Sequence, residues 1–407
     1  MSSERLYYDD SYTTRFEAAV TATGTLAGRP AVELERTYFY PESGGQEADR
    51  GRLAGWPVLD VQADDDGRVW HAIGELPGSA SGPPLDVLAG TVSAEVDWRR
   101  RFDHMQQHTG QHILSAAFLK ELSTATLSSH LGVERSTIEL ERDELDWEAI
   151  ARVENAANAV VWDDREIVRH WVDDEGVKRF RLRKPPARSG RIRIVEIPDW
   201  DVSACGGTHT RRTGEVGTIK VVRWEKLRGH VRLEFLCGAR ALRDHAWRTE
   251  ALIEGARRRT LKDRELIAHL ERAASERDEL RKRLELLSER LIVAEARDAV
   301  GDPPRAVTRF DAERPREEVR RFVIKCLDAG APFVVAAAAA PEPVLVVGRA
   351  KASGRDLKAL VPQLLERSRG KGGGSADLVQ VTAVDATAAE RSWRYACEAL
   401  TEAETRS

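Results

Sequence analysis

The sequence predicts an α+β protein built from four successive parts. Three observations support this prediction: short apolar runs separated by turn residues, a middle region that mixes helical and strand-like patterns, and a change to heptad spacing near residue 246. The chain has 407 residues, of which 42% are hydrophobic and 32% are charged, and its net charge is −4. These values are typical of a globular protein with several cores, and the overall charge gives no sign of nucleic-acid binding.

The first two parts are predicted from turn signals and from hydrophobic periodicity. Residues 1–95 are expected to form a small β-barrel or antiparallel sheet, because DDDG between VLDVQ and VWHAI is typical of a hairpin. Residues 96–245 combine helical patterns near 104–120 and 146–160 with the strand-like runs RIVEI, TIKVVRW and VRLEFL. This mixture predicts a second domain of the α+β class.

The third and fourth parts differ sharply in composition. In residues 246–300, small or branched apolar residues recur every seven positions among charged ones, namely Leu266, Ala273, Leu280, Leu287 and Ala294. This spacing predicts a coiled-coil or helical connector, and a single amphipathic helix packed on its own domain is the alternative. Residues 301–407 alternate helical and strand-like runs around the glycine-rich GKGGGS, which predicts a small α/β domain.

Other features bear on the compartment and on local charge. MSSERLYYDD lacks the pattern of a signal peptide, and the longest apolar stretch is interrupted by proline and glutamate. The four cysteines show no paired spacing, so we expect a cytoplasmic protein with no disulfide framework and no membrane partner. The segment 178–193, KRFRLRKPPARSGRIR, is strongly basic and could contact phosphates, with a solvated surface loop as the alternative.

Two short motifs carry the residue types that bind metal ions. HMQQHTGQH places His104, His108 and His112 at intervals of four, so that neighbours lie about 40° apart around a helix. Further along, SACGGTHT places Cys205 and His209 four apart across two glycines that let the backbone fold tightly. One histidine pair and one thiolate–imidazole pair supply the four donors that Zn²⁺ prefers. The residue pattern alone leaves open which neighbour of His108 completes its pair.

The same motifs carry a resemblance to a known family. HTGQHILS and CGGTHT, in this order, resemble the editing domain of alanyl-tRNA synthetase and the free-standing AlaX alanyl-tRNA editing proteins. Further segments resemble the family in the same order, namely LYYDDSYTTRFEAAV, ERTYFYPESGGQEADRG, LSSHLGVERSTIEL, LRKPP, RTGEVGTIK and VRLEFLCGARAL. GKGGGSADLVQ resembles the C-terminal domain of the synthetase, so the resemblance covers essentially the whole chain and indicates the long AlaX form.

The resemblance implies a zinc-dependent hydrolase that removes serine or glycine wrongly joined to alanine tRNA. The implied ligands are His108, His112, Cys205 and His209, which leaves His104 as a packed or RNA-contacting residue. The implied partner is the acceptor end of the tRNA, and the heptad seam or the C-terminal domain would form a homodimer. The alternative function is a non-catalytic tRNA-binding or assembly protein whose zinc is structural.

The resemblance also assigns residues around the metal. The implied catalytic residues are Thr37, which would recognise the serine hydroxyl, Gln46 in the pocket wall, and His130, which would move a proton or contact the terminal adenosine. The implied substrate-binding residues are Ser43, Gly44, Gly45, Arg183, Lys184 and Lys371. Without the resemblance, Thr37 is equally a strand residue chosen for β-propensity, SGG is an ordinary turn, and His130 is a core or hairpin histidine.

Overall fold

The computed structural model describes residues 3–76, 88–351 and 356–404. The chain divides into two compact units, Met1–Gly255 and Ala256–Ser407. Each unit combines helices with β-sheet, which confirms the predicted α+β class. The finer division into four parts stays a prediction.

The N-terminal strands form a closed barrel. The elements are β1 (Glu4–Arg5), β2 (Arg15–Leu26), β3 (Arg29–Leu34), β4 (Arg36–Thr37), β5 (Gly51–Leu53), β6 (Trp56–Ala63), β7 (Val69–Ile73) and β8 (Thr91–Val96). The barrel order is β2-β3-β7-β6-β5-β8, while β1 and β4 pair in parallel beside it. Buried and exposed residues alternate strictly along β8, as expected for a strand with one face toward the barrel core. The hairpin predicted at DDDG is confirmed, because β6 and β7 pair antiparallel across it.

The rest of the first unit surrounds one long buried helix. The elements are α1 (Trp98–Leu122), β9 (Thr126–Leu131), β10 (Ser136–Leu140), α2 (Trp147–Trp162), β11 (Val168–Val172), α3 (Asp174–Val177), β12 (Ile192–Ile197), β13 (Asp201–Ala204), β14 (Ile219–Leu227), β15 (His230–Cys237) and α4 (Gly238–Arg257). The strands form two sheets, of order β14-β15-β10-β9 and β11-β12-β13. Helix α1 begins at Asp97, whose side chain accepts from the Arg100 N–H, and every residue from His104 to Phe118 is buried. Its polar side chains therefore lie in the interior of the unit.

The second unit is a sheet covered by helices. The elements are α5 (Leu266–Val300), β16 (Val307–Asp311), α6 (Arg316–Asp328), β17 (Phe333–Ala338), β18 (Val344–Arg349), α7 (Val361–Ser368), β19 (Gly372–Gly374), β20 (Leu378–Thr382) and α8 (Ala386–Glu404). The sheet order is β16-β17-β18-β20-β19, and among these described strands only β16 and β17 pair in parallel. The sheet is therefore mixed, and the glycine-rich stretch forms its edge strand rather than a loop.

Helix α5 packs through a different stripe from the heptad seam. Ile292, Ala296 and Val300, spaced by four, are buried in a core that also contains α6 residues. The seam leucines Leu280 and Leu287 are 65% and 51% exposed. The C-terminal part of α5 thus packs as an ordinary amphipathic helix, while the coiled coil stays a prediction. Within residues 3–76, 88–351 and 356–404, no helix combines the length and the apolar character needed to cross a membrane.

Candidate metal centre

Four side chains from two distant segments meet at one point of the first unit. The ligand atoms of His108, His112, Cys205 and His209 all lie within 4.8 Å of one another. The Cys205 Sγ is 3.3 Å from the Nε2 of both His108 and His209. Tetrahedral Zn²⁺ with bonds of about 2.0–2.3 Å places its ligand atoms roughly 3.5 Å apart, so the geometry fits a zinc ion. The four predicted donors therefore lie together as a group that could hold a metal ion.

The structure also shows which histidine pairs with His108. His104 lies one turn earlier on α1 and outside the cluster. It is only 2% exposed, and its Nδ1 has no hydrogen-bond partner among the described residues. Burial, with smaller contributions from Arg100 and Arg240, lowers the pKa of His104 to about 4. His104 is therefore a neutral packed histidine, as one of the sequence alternatives held.

The loop at residues 205–209 passes very close to α1 at a single glycine. A Cβ built on Gly207 would lie 2.0 Å from the Cε1 of His108, whereas one on Gly206 would meet nothing closer than 3.7 Å. Neither glycine has a positive φ. The structure thus gives a steric reason for glycine at position 207, namely its close approach to the His108 ring, and only an ordinary contact distance at position 206.

Each of the three imidazole rings makes a hydrogen bond through its Nδ1 atom to a side chain outside the cluster. The hydrogen bonds join His108 Nδ1 to Gln46 Oε1 at 2.7 Å, His112 Nδ1 to Asp201 Oδ2 at 2.9 Å, and His209 Nδ1 to Thr109 Oγ1 at 3.2 Å. With Nδ1 engaged in this way, the Nε2 lone pair of each ring is directed into the cluster. Metal-binding histidines are commonly oriented by such partners, which fix the tautomer and the ring plane.

The charges in the cluster are those of a cation site. Burial alone would raise the pKa of Cys205, but the nearby His108 and His209 imidazoles hold it well below its usual value. Burial would lower the pKa of His112, but hydrogen bonds to Asp201 and Cys205 raise it to about 9. The surroundings thus favour a thiolate at Cys205, and a divalent cation held by the four donors would stabilise that thiolate directly.

The carboxylate of Asp201, which was not predicted from the sequence, orients the ligand His112. Asp201 accepts from His112 through one oxygen and from Arg183 Nε through the other, at 2.7 Å. Arg183 also donates to Ser203 Oγ at 3.1 Å. Arg183 thus contacts the residue that orients His112, and its predicted role in substrate binding stays a prediction. Strand alternation could have found Asp201, because Asp201 and Ser203 lie on one face of β13 and the ligand Cys205 follows at the same spacing just after the strand ends.

The turn from Ser43 to Gln46 delivers a side chain to the metal site. Ser43 and Gln46 exchange backbone hydrogen bonds of 3.0 and 3.1 Å, and Gly44 and Gly45 take φ values of 58° and 83° that favour glycine. Gln46 is fully buried: its Oε1 contacts His108, and its Nε2 donates to Thr208 Oγ1 at 2.9 Å. The geometry therefore gives Gln46 a contact that orients the His108 ring, and its predicted role toward substrate stays a prediction.

Of the other residues predicted to act on the substrate, Thr37 is buried and three are exposed. Thr37 is fully buried in the barrel unit, where its Oγ1 accepts from the Phe39 N–H and contacts His71 Nε2 at 2.9 Å. Because His71 Nδ1 contacts the Val32 carbonyl, its Nε2 is the acceptor and the Thr37 hydroxyl is the donor. His130 on β9, Lys184 and Lys371 are exposed, and Lys371 belongs to the second unit. Their roles toward substrate stay predictions.

Known proteins with similar sequences define a class for the first unit. Residues 192–234, which contain Cys205 and His209, match the family described as the threonyl and alanyl tRNA synthetase second additional domain. Residues 192–234 therefore resemble part of a domain found in these synthetases. The chain is 37% identical over 246 residues to the alanyl-tRNA editing protein AlaX-L of Pyrococcus horikoshii, which covers 59% of each protein.

Two alanine–tRNA ligases extend the similarity along the chain. The ligase of Methanopyrus kandleri is 34% identical over 313 residues, covering 73% of this chain and 33% of the ligase. The ligase of Ignicoccus hospitalis is 30% identical over 403 residues, covering 93% of this chain and 41% of the ligase. The resemblance to AlaX proteins and to part of alanyl-tRNA synthetase is thus confirmed. The chain spans between a third and about three fifths of the length of these relatives.

Proposed function

We propose that the chain is a zinc-dependent aminoacyl-tRNA hydrolase that deacylates mischarged Ser-tRNA(Ala), with Gly-tRNA(Ala) as a second substrate. The convergence of His108, His112, Cys205 and His209 carries the proposal. The thiolate and imidazole donors are those preferred by Zn²⁺, and the partners behind the three rings hold them in place. Similarity to a protein named for alanyl-tRNA editing supports the reaction class.

The aminoacyl ester is already activated, so its hydrolysis needs an oriented water and stabilisation of developing negative charge. Bound zinc supplies electrophilic stabilisation at this position. Gln46 and Asp201 orient two of the ligand rings. The turn at residues 43–45 adjoins β9, since the Leu131 N–H donates to the Gly45 carbonyl at 2.8 Å. We assign this turn to the pocket wall and His130 of β9 to proton transfer or to contact with the terminal adenosine.

One observation favours a second function. Four protein donors fill a tetrahedral zinc site, and filled sites are commonly structural. A non-catalytic tRNA-binding protein would share this ligand set. Hydrolysis separates the two functions, because a structural site supports tRNA binding without loss of the aminoacyl group.

Metal content and hydrolysis should therefore be measured on one preparation, with Ser-, Gly- and Ala-tRNA(Ala) as substrates. We expect Ser-tRNA(Ala) to be hydrolysed at least about a hundredfold faster than Ala-tRNA(Ala), because a polar pocket group left without a partner disfavours alanine. Removal of zinc with a chelator should abolish hydrolysis, and added zinc should restore it. Full activity in a metal-free sample, or a zinc-loaded protein that binds tRNA without hydrolysing it, would contradict the proposal.

We assign recognition of the serine side chain to the Thr37 hydroxyl. Replacing Thr37 with valine is expected to reduce hydrolysis of Ser-tRNA(Ala) relative to Gly-tRNA(Ala) by about tenfold, since a hydrogen bond to the substrate hydroxyl is lost. Thr37→Ser, which keeps the hydroxyl, is the matched control and should retain the preference. Equal losses on the two substrates would show that Thr37 only supports the barrel through His71.

The second unit is proposed to add tRNA affinity and to join two chains. Lys371 is exposed directly before the edge strand β19, where an ammonium group can reach a phosphate.

The exposed leucines of α5 form an apolar stripe of the kind that pairs helices, namely Leu280, Leu284, Leu287 and Leu291. A second copy of the chain is the proposed occupant of this stripe.

A further inference from the structure

Two arginines lie on the sheet face that carries the metal ligand Cys205. In the register of β11 and β12, Arg169 is opposite Val195, and Trp171 is opposite Arg193. The Cys205 N–H donates to the Arg193 carbonyl at 3.1 Å, which continues the ladder toward β13. Opposed residues and residues two apart share one face, so Arg169, Arg193 and Cys205 point to the same side of the sheet.

In both arginines, the Nε and Nη2 atoms of the guanidinium have no hydrogen-bond partner among the described residues. Arg193 is only 5% exposed, and its Nη1 donates to the carbonyls of Cys205 and Gly207 at 2.9 Å each. The Nε and Nη2 atoms of Arg193 and of Arg169 are all buried. Nε and Nη2 donate in parallel and form the edge that binds a carboxylate or a phosphate with two hydrogen bonds.

Elsewhere in the first unit, the same edge of an arginine holds an anionic group. The Nε and Nη2 atoms of Arg101 both contact Asp49, and those of Arg240 both contact Asp103. At Arg169 and Arg193, the nearby Asp9 does not take this role. Its carboxylate accepts from Trp171 Nε1 at 2.8 Å, and only its backbone carbonyl accepts from Arg169 Nη1. Two buried, like-charged edges without an anion are costly, and one anion between them would satisfy both.

We propose that Arg169 and Arg193 form an anion site that binds a backbone phosphate at the 3′ end of the tRNA. The inference rests on the proposed function and names residues that position its substrate. Arg193 links the two sites, because one edge holds the loop at residues 205–207 and the other faces the phosphate. The Tyr8 ring lies 5.6 Å from the Arg193 guanidinium and borders the proposed anion site.

Aromatic and basic groups extend this surface. Trp171 lies on the same face, and the Arg191 guanidinium stacks on its ring at 4.4 Å. Aromatic rings beside a phosphate site are typical of surfaces that bind unpaired nucleotides by stacking. This arrangement also explains part of the basic segment 178–193: its last two arginines, Arg191 and Arg193, belong to the anion site, while Arg183 supports the metal ligand His112.

The test compares a substrate that contains phosphates with one that contains none. Arg169→Gln is the variant of choice, because Arg193 also holds the metal loop. Zinc-loaded protein is assayed on Ser-tRNA(Ala) and on 3′-O-seryl-adenosine. We expect the ratio of kcat/KM for the two substrates to fall about tenfold in Arg169→Gln, mainly through KM for the tRNA, with unchanged zinc content. Arg15→Gln, which removes an exposed charge from the barrel surface, is the control and should leave the ratio unchanged.

Equal losses on the two substrates, or no loss on either, would overturn the anion site while the hydrolase proposal stands. If the parent protein hydrolyses neither substrate, the hydrolase proposal fails. The anion site is then tested separately by measuring the binding of an oligonucleotide. Affinity for a short oligonucleotide ending in CCA should then fall about tenfold in Arg169→Gln, and the salt dependence of binding should lose about one counterion. Equal affinity for the oligonucleotide, with an equal salt dependence of binding in parent and variant, would overturn the anion site.

Discussion

Replacing Cys205 with alanine is expected to remove the bound metal and to lower the rate of Ser-tRNA(Ala) hydrolysis by at least about a thousandfold. The thiolate is the only anionic donor in the cluster, and its Sγ lies 3.3 Å from two of the three imidazole Nε2 atoms. Without it, three neutral rings hold the cation far more weakly. Zinc per chain and single-turnover deacylation measure the two effects.

The variant should still fold. Cys205 is half-buried and packs against the edge of the main core rather than within it. Because binding to the folded state alone stabilises it, removal of zinc should lower the Tm of the parent protein but not that of Cys205→Ala. Cys397→Ala is the matched control, since Cys397 is also half-buried but lies in the second unit, where burial raises its pKa to about 11. A Cys205→Ala protein that keeps zinc and full activity would refute the metal centre.

The ligands could be predicted from sequence because each pair is local. Helical periodicity places His104, His108 and His112 on one face, the family resemblance selects His108 and His112, and Cys205 and His209 lie four residues apart in one short loop. The residues that orient them are not local: Gln46, Asp201 and Thr109 are separated from their histidines by 62, 89 and 100 positions. Such partners depend on how the barrel turn, α1 and β13 pack together. Of the three, only Asp201 carries a local signal, because it alternates with Ser203 along β13.

The same distinction separates the parts of the fold that the sequence predicts from those that it does not. The hairpin at DDDG was predicted from adjacent residues and is confirmed. The packing stripe of α5 was not predicted, since Ile292, Ala296 and Val300 are selected by the surface of α6, which lies later in the chain. Likewise, GKGGGS forms the edge strand β19 only because β20 lies beside it. Glycine composition alone indicates a loop.

Replacing Gly207 with alanine is expected to weaken zinc binding by about a hundredfold or more, with a matching loss of deacylation. The added Cβ would lie 2.0 Å from His108 Cε1 and 2.3 Å from His108 Nδ1. The ring cannot retreat, because its Nδ1 is held at 2.7 Å by Gln46, which is itself fully buried and bonded to Thr208. Zinc affinity measured by competition with a chromophoric chelator gives the size of the effect.

Gly206→Ala is the matched control, one residue earlier in the same loop. Its Cβ would meet only Tyr8, at the ordinary contact distance of 3.7 Å, and Gly206 does not occupy the left-handed region. Loss of backbone freedom in the unfolded chain is the same for both variants, so the difference between them isolates the contact with His108. If the two variants bound zinc equally well, the His108 ring would be able to move away from the added Cβ. Gln46 could then not be the group that fixes the position of the ring.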